Sequence, residues 1–369
     1  MKPYSIVSMF TGAGGLDLGF EQEGFHHLEC VDLDPWSIDT LRQNRPDWSP
    51  VLADARVWSP VSNECDVLIA GPPCQGFSLG GHRRAADDRN KLFREVVRVA
   101  ESLKPRVVLI ENVLNLRTMI EPESGKPFAY HIASELERSG YEVRFDIFRM
   151  AHHGVPQTRR RFVFVAFKNS LPNGYQLPAP GPITTIRPYI YDLAQAGGQC
   201  LPNHDPRWGF DSAVHVETGQ PFDETEEVVP VRFSRTASDG NPIRSFDAPF
   251  PAVDTATIWG WAQGGVQAAR FSKDRKNGKH IRNPDANVTL WRVTASRLRA
   301  FTHREYARLQ TFPDEWEFIG GNKRDVHLQI GNAVPVEFAR RLARNIRLGL
   351  EARDKSSSVR DDDGRLTLF

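Results

Sequence analysis

The amino-acid sequence predicts an α/β protein with a parallel, doubly wound sheet that carries helices on both faces. The first 170 residues alternate short apolar runs with amphipathic segments, which is the pattern of buried parallel strands and their crossover helices. After residue 170, Pro, Gly, Asn and Asp become frequent and helical periodicity is lost. A chain of 369 residues is long enough for about two domains, so we expect a second, smaller, loop-rich domain there.

The elements of the first part follow from apolar runs and turn residues. Strands are predicted where aliphatic residues are continuous or alternate, and helices where apolar residues recur at helical spacing. The predicted strands span residues 5–10, 27–32, 66–70, 107–110 and 161–167. The predicted helices span residues 15–23, 35–45, 91–103 and 130–139.

Helical patterning returns near the end of the chain. Thr302 and Glu305 have the spacing of a capping box, which predicts that a helix begins there. A further helix is predicted over residues 335–350. Residues 351–369 contain SSS and DDDG, and we expect them to form a disordered tail.

Composition excludes several classes of protein. Hydrophobic residues make up 40% and charged residues 25%, so a folded chain is expected, and no apolar run approaches the length of a membrane span. The four cysteines lack CxxC spacing, so neither a disulfide framework nor a zinc site is predicted, and a reducing cytoplasm fits. The net charge is +1, so local patches would have to hold any nucleic acid.

A glycine-rich turn, FTGAGG at residues 10–15, joins the first predicted strand to a helix. Glycines allow the backbone to approach a ligand closely. The turn is not a dinucleotide fingerprint, because Asp17 stands where GxGxxG requires its third glycine. Residues 1–36 hold one lysine and no arginine against six acidic residues, which favours a cationic ligand over a pyrophosphate. A dehydrogenase is disfavoured on both grounds.

Two carboxylates near this turn are candidate cofactor ligands. Asp32 ends the second strand, where an acidic side chain typically accepts hydrogen bonds from ribose hydroxyls. Asp34 is better placed to cap the helix that begins at Pro35. Asp54 follows a short apolar stretch and could accept a hydrogen bond from an adenine amino group. Its spacing in the sequence gives this role little support.

The strongest local signal is GPPCQGFS at residues 71–78, directly after the strand DVLIA. Two prolines fix the backbone before Cys74, so we expect its thiol at the carboxyl edge of the sheet. Ligand-binding and catalytic residues of α/β proteins lie at this edge. A nucleophilic thiolate needs positive charge nearby, and His82, Arg83 and Arg84 follow in the sequence. The other cysteines are expected to be small buried hydrophobes, namely Cys30, Cys65 and Cys200.

Charged side chains also mark the ends of two other strands. Glu111 follows VVLI, and a carboxyl in a closed pocket can have its pKa raised by desolvation and donate a proton. Arg159 and Arg161 alternate onto one face of the last strand, which suits phosphates or a polarised carbonyl oxygen, with a solvated charge run as the alternative. His152 and His153 would point apart without a third ligand, so no metal site is predicted there.

Taken in order, these segments resemble the DNA (cytosine-5) methyltransferases. The matching segments are FTGAGGLDLGF, VDLDPW, GPPCQGFS, DDRNKLF, ENV, GVPQTRRRFVFVA, THREYARLQTFPDEW and QIGNAVP. The resemblance implies a Rossmann-like, S-adenosylmethionine-dependent methyltransferase sheet, in which residues 1–170 and 302–350 form the catalytic and cofactor-binding domain. Residues 171–301 would be the smaller, loop-rich target-recognition domain.

The resemblance also implies S-adenosylmethionine as cofactor and a flipped-out cytosine as substrate. Cys74 would attack C6 of the base, Glu111 would hold or protonate N3, and Arg161 would bind the carbonyl oxygen with Arg159 supporting the pocket. The implied cofactor-binding residues are Phe10, Gly12, Gly14, Gly15, Asp32, Asp54, Pro73, Leu92 and Asn332. Asp32 stands where the family commonly has glutamate, which shortens its reach to the ribose by one carbon.

DNA contacts are expected from two segments. The resemblance implies that residues 78–92 form a mobile loop over the base, with Ser78, His82, Arg83 and Arg84 on it. Residues 270–282, followed by Trp291, are expected to track DNA phosphates, with a solvated loop as the alternative. The basic residues of this run are Arg270, Lys273, Arg275, Lys276, Lys279 and Arg282.

Two other functions stay open at this point. A relative that methylates cytosine in transfer RNA shares the core, but the Cys-Phe-Thr element of its recognition region is absent here. A non-catalytic, methyltransferase-like DNA-binding protein would have no reason to keep Cys74, Glu111, Arg159 and Arg161. We therefore expect a monomeric, cytoplasmic enzyme of bacterial or phage type that modifies double-stranded DNA, alongside a possible cognate restriction endonuclease.

Overall fold

The computed structural model describes residues 3–73, 92–122, 124–195, 201–204, 228–233, 246–255, 258–263, 266–273, 280–282, 288–293 and 297–358. For the described residues between 262 and 299 it gives the backbone and the pairing of strands. Within the described residues, no helix is long and apolar enough to cross a membrane.

A seven-stranded sheet forms the centre of the molecule. Its strands are β1 (Ser5–Met9), β2 (His26–Asp32), β3 (Pro50–Leu52), β4 (Val67–Ala70), β5 (Val107–Val113), β6 (Tyr141–Arg149) and β7 (Arg160–Lys168), in the order β3-β2-β1-β4-β5-β7-β6. The five strands from β1 to β5 pair in parallel. This confirms the predicted α/β class, although β3 and β6 were not predicted.

The expectation of an entirely parallel sheet is wrong at one edge. Strand β7 lies between β5 and β6 and runs antiparallel to both. Residues 150–159 connect β6 to β7 without a crossover helix, and a short connection of this kind can join only antiparallel neighbours. As a result β7 begins at the edge of the sheet where β5 ends.

Helices cover both faces of this sheet, namely α1 (Gly15–Glu21), α2 (Pro35–Asn44), α3 (Phe93–Leu103), α4 (Phe128–Arg138) and α8 (Val336–Ser358). Three others, α5 (Arg187–Gln195), α6 (His303–Leu309) and α7 (Lys323–Asn332), pack in a further apolar cluster. Val7 and its neighbours on one face pack in the apolar cluster that contains α3 and α4. Ile6 and its neighbours on the other face pack with α1 and α8. The alternation of side chains along buried strands therefore supplies two cores.

Local capping signals set two helix starts as predicted. Asp34 accepts a hydrogen bond from the backbone N–H of Ser37 at the start of α2, at 3.0 Å. Thr302 and Glu305 form the capping box at the start of α6. These side chains satisfy N–H groups that have no partner within the helix.

The predicted loop-rich region contains two small antiparallel sheets that were not predicted. One sheet joins β8 (Val228–Phe233), β9 (Ile258–Gln263) and β13 (Arg297–Ala300), and the other joins β10 (Val266–Lys273), β11 (His280–Arg282) and β12 (Val288–Val293). Trp259 and Trp261 of β9 are buried in an apolar cluster that continues into α2, α6 and α7. The region is thus packed against the rest of the chain, while its role as a separate recognition domain stays a prediction.

The last helix extends further than predicted. Helix α8 continues to Ser358, so residues 351–358 are helical and the predicted tail is wrong for them. The reason is a tertiary contact, because Asp354 accepts a hydrogen bond from Tyr4 Oη at 2.6 Å and pairs with Arg106. The expectation of disorder for residues 359–369 falls outside the described residues.

Candidate active site

A cavity of about 980 Å³ opens at the carboxyl edge of the seven-stranded sheet. Residues that follow β1, β2 and β4 line it, together with the end of β5 and the start of β7. Parallel strands bring their carboxyl ends to one edge, and the antiparallel β7 begins there. Asn332 of α7 and Thr255 complete the wall from the opposite side.

The glycine turn and Asp32 form one end of the cavity. Asp32 accepts the backbone N–H of Gly12 at 2.8 Å and that of Asp34 at 2.9 Å, one on each carboxylate oxygen. Phe10 and Gly12 both have positive φ, and a Cβ at Gly12 would meet nothing within 4 Å, so the space in front of it is open. Burial raises the pKa of Asp32, and these N–H donors oppose that shift.

Gly14 and Gly15 lie beside the cavity and serve packing. A Cβ on Gly14 would lie 2.7 Å from Leu41 of α2, and one on Gly15 would lie 2.2 Å from the carbonyl oxygen of Val334. Neither residue is among those that line the cavity. Their missing side chains let α1 approach α2 and the segment before α8 closely.

The other predicted cofactor residues, Asp54, Pro73, Leu92 and Asn332, all line the cavity. The carboxylate of Asp54 is paired with Arg56, whose hydrogen bonds lower the pKa of Asp54 to about 2. Asp54 is therefore anionic at neutral pH. The lining residues that were not predicted as site residues include Trp36, Arg56 and Thr255.

An ion pair lies at the other end of the cavity. Arg161 Nε is 2.8 Å from Glu111 Oε1, and Glu111 is 8% exposed. Strands β5 and β7 are neighbours in the sheet, so their antiparallel pairing brings these two residues together. A guanidinium beside a carboxylate offers donors and acceptors to the edge of one planar ligand.

Pro73, which directly precedes the predicted nucleophile, also lines this end. Asn112 Nδ2 donates to the carbonyl oxygen of Pro72 at 3.4 Å, which ties the double-proline turn to the end of β5. The buried state predicted for Cys30 and Cys65 is confirmed. Cys74 itself lies outside the described residues, and so does Cys200.

Arg159 does not line the cavity, but it contacts two segments of chain that form the cavity wall. It is 3% exposed, and its Nη1 donates to the carbonyl oxygens of Val253 and Gly331, each at 3.0 Å. Burial and the neighbouring Arg161 both lower the pKa of Arg159. Arg159 and Arg161 therefore contact different groups, although alternation places them on one face.

Two buried glutamines, which sequence reasoning missed, join the same walls. Gln157 Nε2 donates to Gln310 Oε1 at 2.9 Å, and Gln157 Oε1 accepts the N–H of Val253 at 2.8 Å. Gln310 Nε2 in turn donates to the carbonyl oxygens of Ile330 at 2.6 Å and Ala333 at 3.3 Å, on either side of Asn332. We call Gln157, Gln310 and Arg159 the junction, because they tie together three segments of chain that lead into the cavity.

Most residues predicted to contact DNA fall outside the described residues. This holds for Ser78, His82, Arg83, Arg84, Arg275, Lys276 and Lys279. Arg270 and Lys273 belong to β10, and Arg282 belongs to the neighbouring β11, opposite Phe271. Where it is described, at residues 270–273 and 280–282, the backbone of the basic run thus forms part of a small antiparallel sheet.

Comparison with known proteins gives concordant matches. The family model described as C-5 cytosine-specific DNA methylase matches residues 4–348. The type II methyltransferase M.PspPI of Psychrobacter sp. is 31% identical over 361 residues, which cover 96% of this chain and 81% of that protein. The type II methyltransferase M1.HphI of Haemophilus parahaemolyticus is 32% identical over 353 residues, covering 92% and 85%. The solved structure of S. pombe Dnmt2 methyltransferase shares the fold, with a TM-score of 0.61, 18% identity and coverage of 96% and 100%.

Proposed function

Because this chain belongs to the C-5 cytosine-specific DNA methylase family, we propose that it methylates C5 of a flipped-out cytosine in a specific short double-stranded DNA sequence, with S-adenosylmethionine as donor and a covalent Cys74 intermediate. Its class, a DNA (cytosine-5) methyltransferase, follows from the family. The cofactor, the covalent route and the biological role are the content of the proposal.

One observation carries the proposal. A single cavity joins an end with acidic and aromatic walls, including Asp32 and Trp36, to an end that holds the Glu111–Arg161 pair. Group transfer requires donor and acceptor to be held in one orientation within one enclosed space. Both ends lie at one edge of a rigid sheet, which supplies that orientation.

The residues of the acidic end fit S-adenosylmethionine. Each oxygen of Asp32 bonds one backbone N–H and keeps a lone pair that can accept a ribose hydroxyl. Asp54 offers an anionic acceptor for an adenine amino group, and the open space before Gly12 admits the ligand next to the backbone. The cofactor supplies a methyl group on a positively charged sulfur, which an acid-rich wall accommodates better than an anion.

Glu111 and Arg161 would hold the edge of the flipped cytosine. Arg161 would donate to the carbonyl oxygen of the base, while Glu111 would hold or protonate N3 and accept from the exocyclic amine. These contacts keep negative charge from building up on the ring when a nucleophile adds to it. The existing ion pair pre-orients both side chains for this role.

Cys74 would supply the nucleophile, since it follows Pro73 at this end of the cavity. Its thiolate adds to C6, and the electrons of the C5–C6 double bond make C5 nucleophilic. After C5 has gained the methyl group, a base removes the C5 proton. The electron pair then restores the double bond, and the thiolate leaves C6.

The matched relatives are named type II methyltransferases, which supports a role in a restriction–modification system. We propose that methylation protects DNA from an endonuclease that cuts the same sequence. Residues 171–301 would form the target-recognition domain, and residues 1–170 with 302–350 the catalytic domain. One target base for each catalytic cavity is compatible with a monomer.

Bisulfite sequencing of DNA from a host that expresses the protein tests this function. Wild type should protect cytosines in one short sequence context, and Cys74→Ala should abolish protection. Cys65→Ala is the matched control, because Cys65 is buried away from the cavity and its loss should leave the pattern intact. Complete conversion with soluble wild-type protein, or methylation found in transfer RNA instead of DNA, would overturn the proposal.

A further inference from the structure

Three potential metal ligands of different chemistry meet in the core behind the glycine turn. Asp17 of α1 and His27 and Cys30 of β2 place a carboxylate oxygen, a ring nitrogen and a sulfur within 4.8 Å of one another. The residues are 0%, 3% and 0% exposed, respectively. We propose that they bind a divalent metal ion of the zinc class, for which oxygen, imidazole nitrogen and thiolate sulfur are the usual protein ligands.

The distances have the size that a tetrahedral ion requires. Asp17 Oδ1 lies 3.3 Å from His27 Nε2 and 3.6 Å from Cys30 Sγ. With bonds of about 2.0 Å to oxygen and nitrogen and about 2.3 Å to sulfur, tetrahedral zinc separates such pairs by about 3.3 and about 3.5 Å. The two distances from Asp17 therefore match those around a tetrahedral ion, and the third pair lies within 4.8 Å.

The polar atoms of the cluster lack other partners. Asp17 Oδ2 and both ring nitrogens of His27 are buried without a hydrogen-bond partner among the described residues. Leaving buried polar groups without partners is unfavourable, and an ion would coordinate His27 Nε2 and the Asp17 carboxylate together.

The strand that carries two of the ligands is locally irregular. Residues three apart in a regular strand face opposite sides, which would separate His27 from Cys30. The pairing of β2 with β1 passes from Ile6↔His27 to Val7↔Glu29, so one residue of β2 is skipped. This irregularity allows His27 and Cys30 to reach the same side, and bulges of this kind recur next to functional sites.

The charges also balance. A divalent ion would displace the proton of the Cys30 thiol, as metals do from coordinating thiols. The ion, the Asp17 carboxylate and the Cys30 thiolate then sum to zero charge in the core, with neutral His27 as the third ligand.

The proposed site would fasten α1 to β2 directly behind the turn that carries Gly12. Asp17 also borders the cavity. This inference does not depend on the methyl-transfer proposal, and its test needs no activity. Cysteine spacing alone did not predict this site, because its three ligands come from two elements that only the fold brings together.

Metal analysis and cobalt substitution of the full-length protein, prepared without a histidine tag, test the site. Elemental analysis should find close to one zinc-class ion per chain in wild type and in the control Cys65→Ser, which changes a buried cysteine outside the cluster. Cys30→Ser and Asp17→Asn should lose it. Cobalt added to the chelator-stripped wild type should give visible bands and a near-ultraviolet thiolate band.

Two results would overturn the proposal. One is wild-type protein that holds no ion as isolated and shows no thiolate–cobalt band after reconstitution, a measurement that requires no variant to fold. The other is a folded Cys30→Ser variant with the ion content and cobalt spectrum of wild type. Either result would mean that Asp17, His27 and Cys30 hold no metal ion.

Discussion

The seven-stranded sheet and the two small sheets carry their functional residues in different ways. In the large sheet, Asp32, Glu111 and Arg161 lie at the ends of buried strands, and the topology alone brings them to one edge. In the small sheets, the described residues of the basic run, at 270–273 and 280–282, lie on the paired strands β10 and β11. We propose that the reaction depends on the seven-stranded sheet, called the framework here, whose strand ends cannot move without loss of the core. We propose that DNA recognition depends on residues 171–301, called the recognition region here, so the two should be separable by mutation.

The largest effect on the methylation rate should come from Glu111→Gln, which changes a residue of the seven-stranded sheet and none of the recognition region. The amide keeps the size of the side chain but cannot protonate N3, and it loses the ion pair with Arg161. A proton donor positioned on the reacting group contributes about 10²–10⁴-fold, so the single-turnover methylation rate should fall by about that factor. DNA affinity, measured separately, should change little.

Glu101→Gln is the matched control, since Glu101 is exposed at the end of α3 and contacts only Ser139 among the hydrogen bonds of the described residues. Its methylation rate should equal that of wild type. A Glu111→Gln variant with an unchanged rate would contradict the assigned role. A Glu111→Gln variant that loses DNA affinity as well as methylation rate would contradict the proposal that catalysis and DNA recognition depend on different parts of the molecule.

Neutralising the basic run should produce the converse result. Glutamine at Lys273, Arg275, Lys276 and Lys279 should weaken DNA binding and lower the slope of log affinity against log salt by about 0.9 for each phosphate that the protein no longer neutralises. The methylation rate at saturating DNA should stay close to wild type. Fluorescence anisotropy across a salt series measures the slope.

Lys104→Gln with Lys126→Gln is the control for this experiment, because both lysines are exposed and outside the run. This pair should leave the salt dependence unchanged. If the quadruple variant also binds as wild type at every salt concentration, the basic run is a solvated loop and recognition lies elsewhere.

The sequence predicted the framework better than the recognition region for a physical reason. Strands β1, β2, β4 and β5 are buried on both faces and therefore read as continuous apolar runs between turn residues. Strands β3 and β6 lie at the edges, where β3 has only three residues and exposed polar residues interrupt the pattern in β6. The small sheets depend on antiparallel pairings whose register no local signal specifies.

The candidate site shows the same division. Asp32 and Glu111 could be predicted because each follows an apolar strand at its carboxyl end. Trp36 could not, since its approach to the cavity depends on how α2 is oriented. Gln157 and Gln310 lie within matching segments, but an uncharged amide gives no chemical signal, and the pair is separated by 153 positions in the chain.

The junction is where the two regions meet, and Gln310→Met should give the smallest of these effects. The variant loses the hydrogen bonds to Ile330 and Ala333 on either side of Asn332, each worth about 0.5–1.5 kcal/mol. We expect cofactor affinity to fall by about tenfold, which corresponds to about 1.4 kcal/mol, while DNA affinity stays unchanged. Titration calorimetry with S-adenosylmethionine measures this at a temperature where the variant is fully folded.

The double variant with Gln157→Met decides whether the junction acts as a unit. The two amides bond to each other, so the loss in cofactor affinity for the double variant should be smaller than the sum of the two single losses. Gln43→Met, an exposed glutamine on α2, controls for the change of side chain and should bind the cofactor as wild type does. Strictly additive losses would mean that Gln157 and Gln310 hold their segments separately. In that case the framework and the recognition region would be independent even where their chains touch.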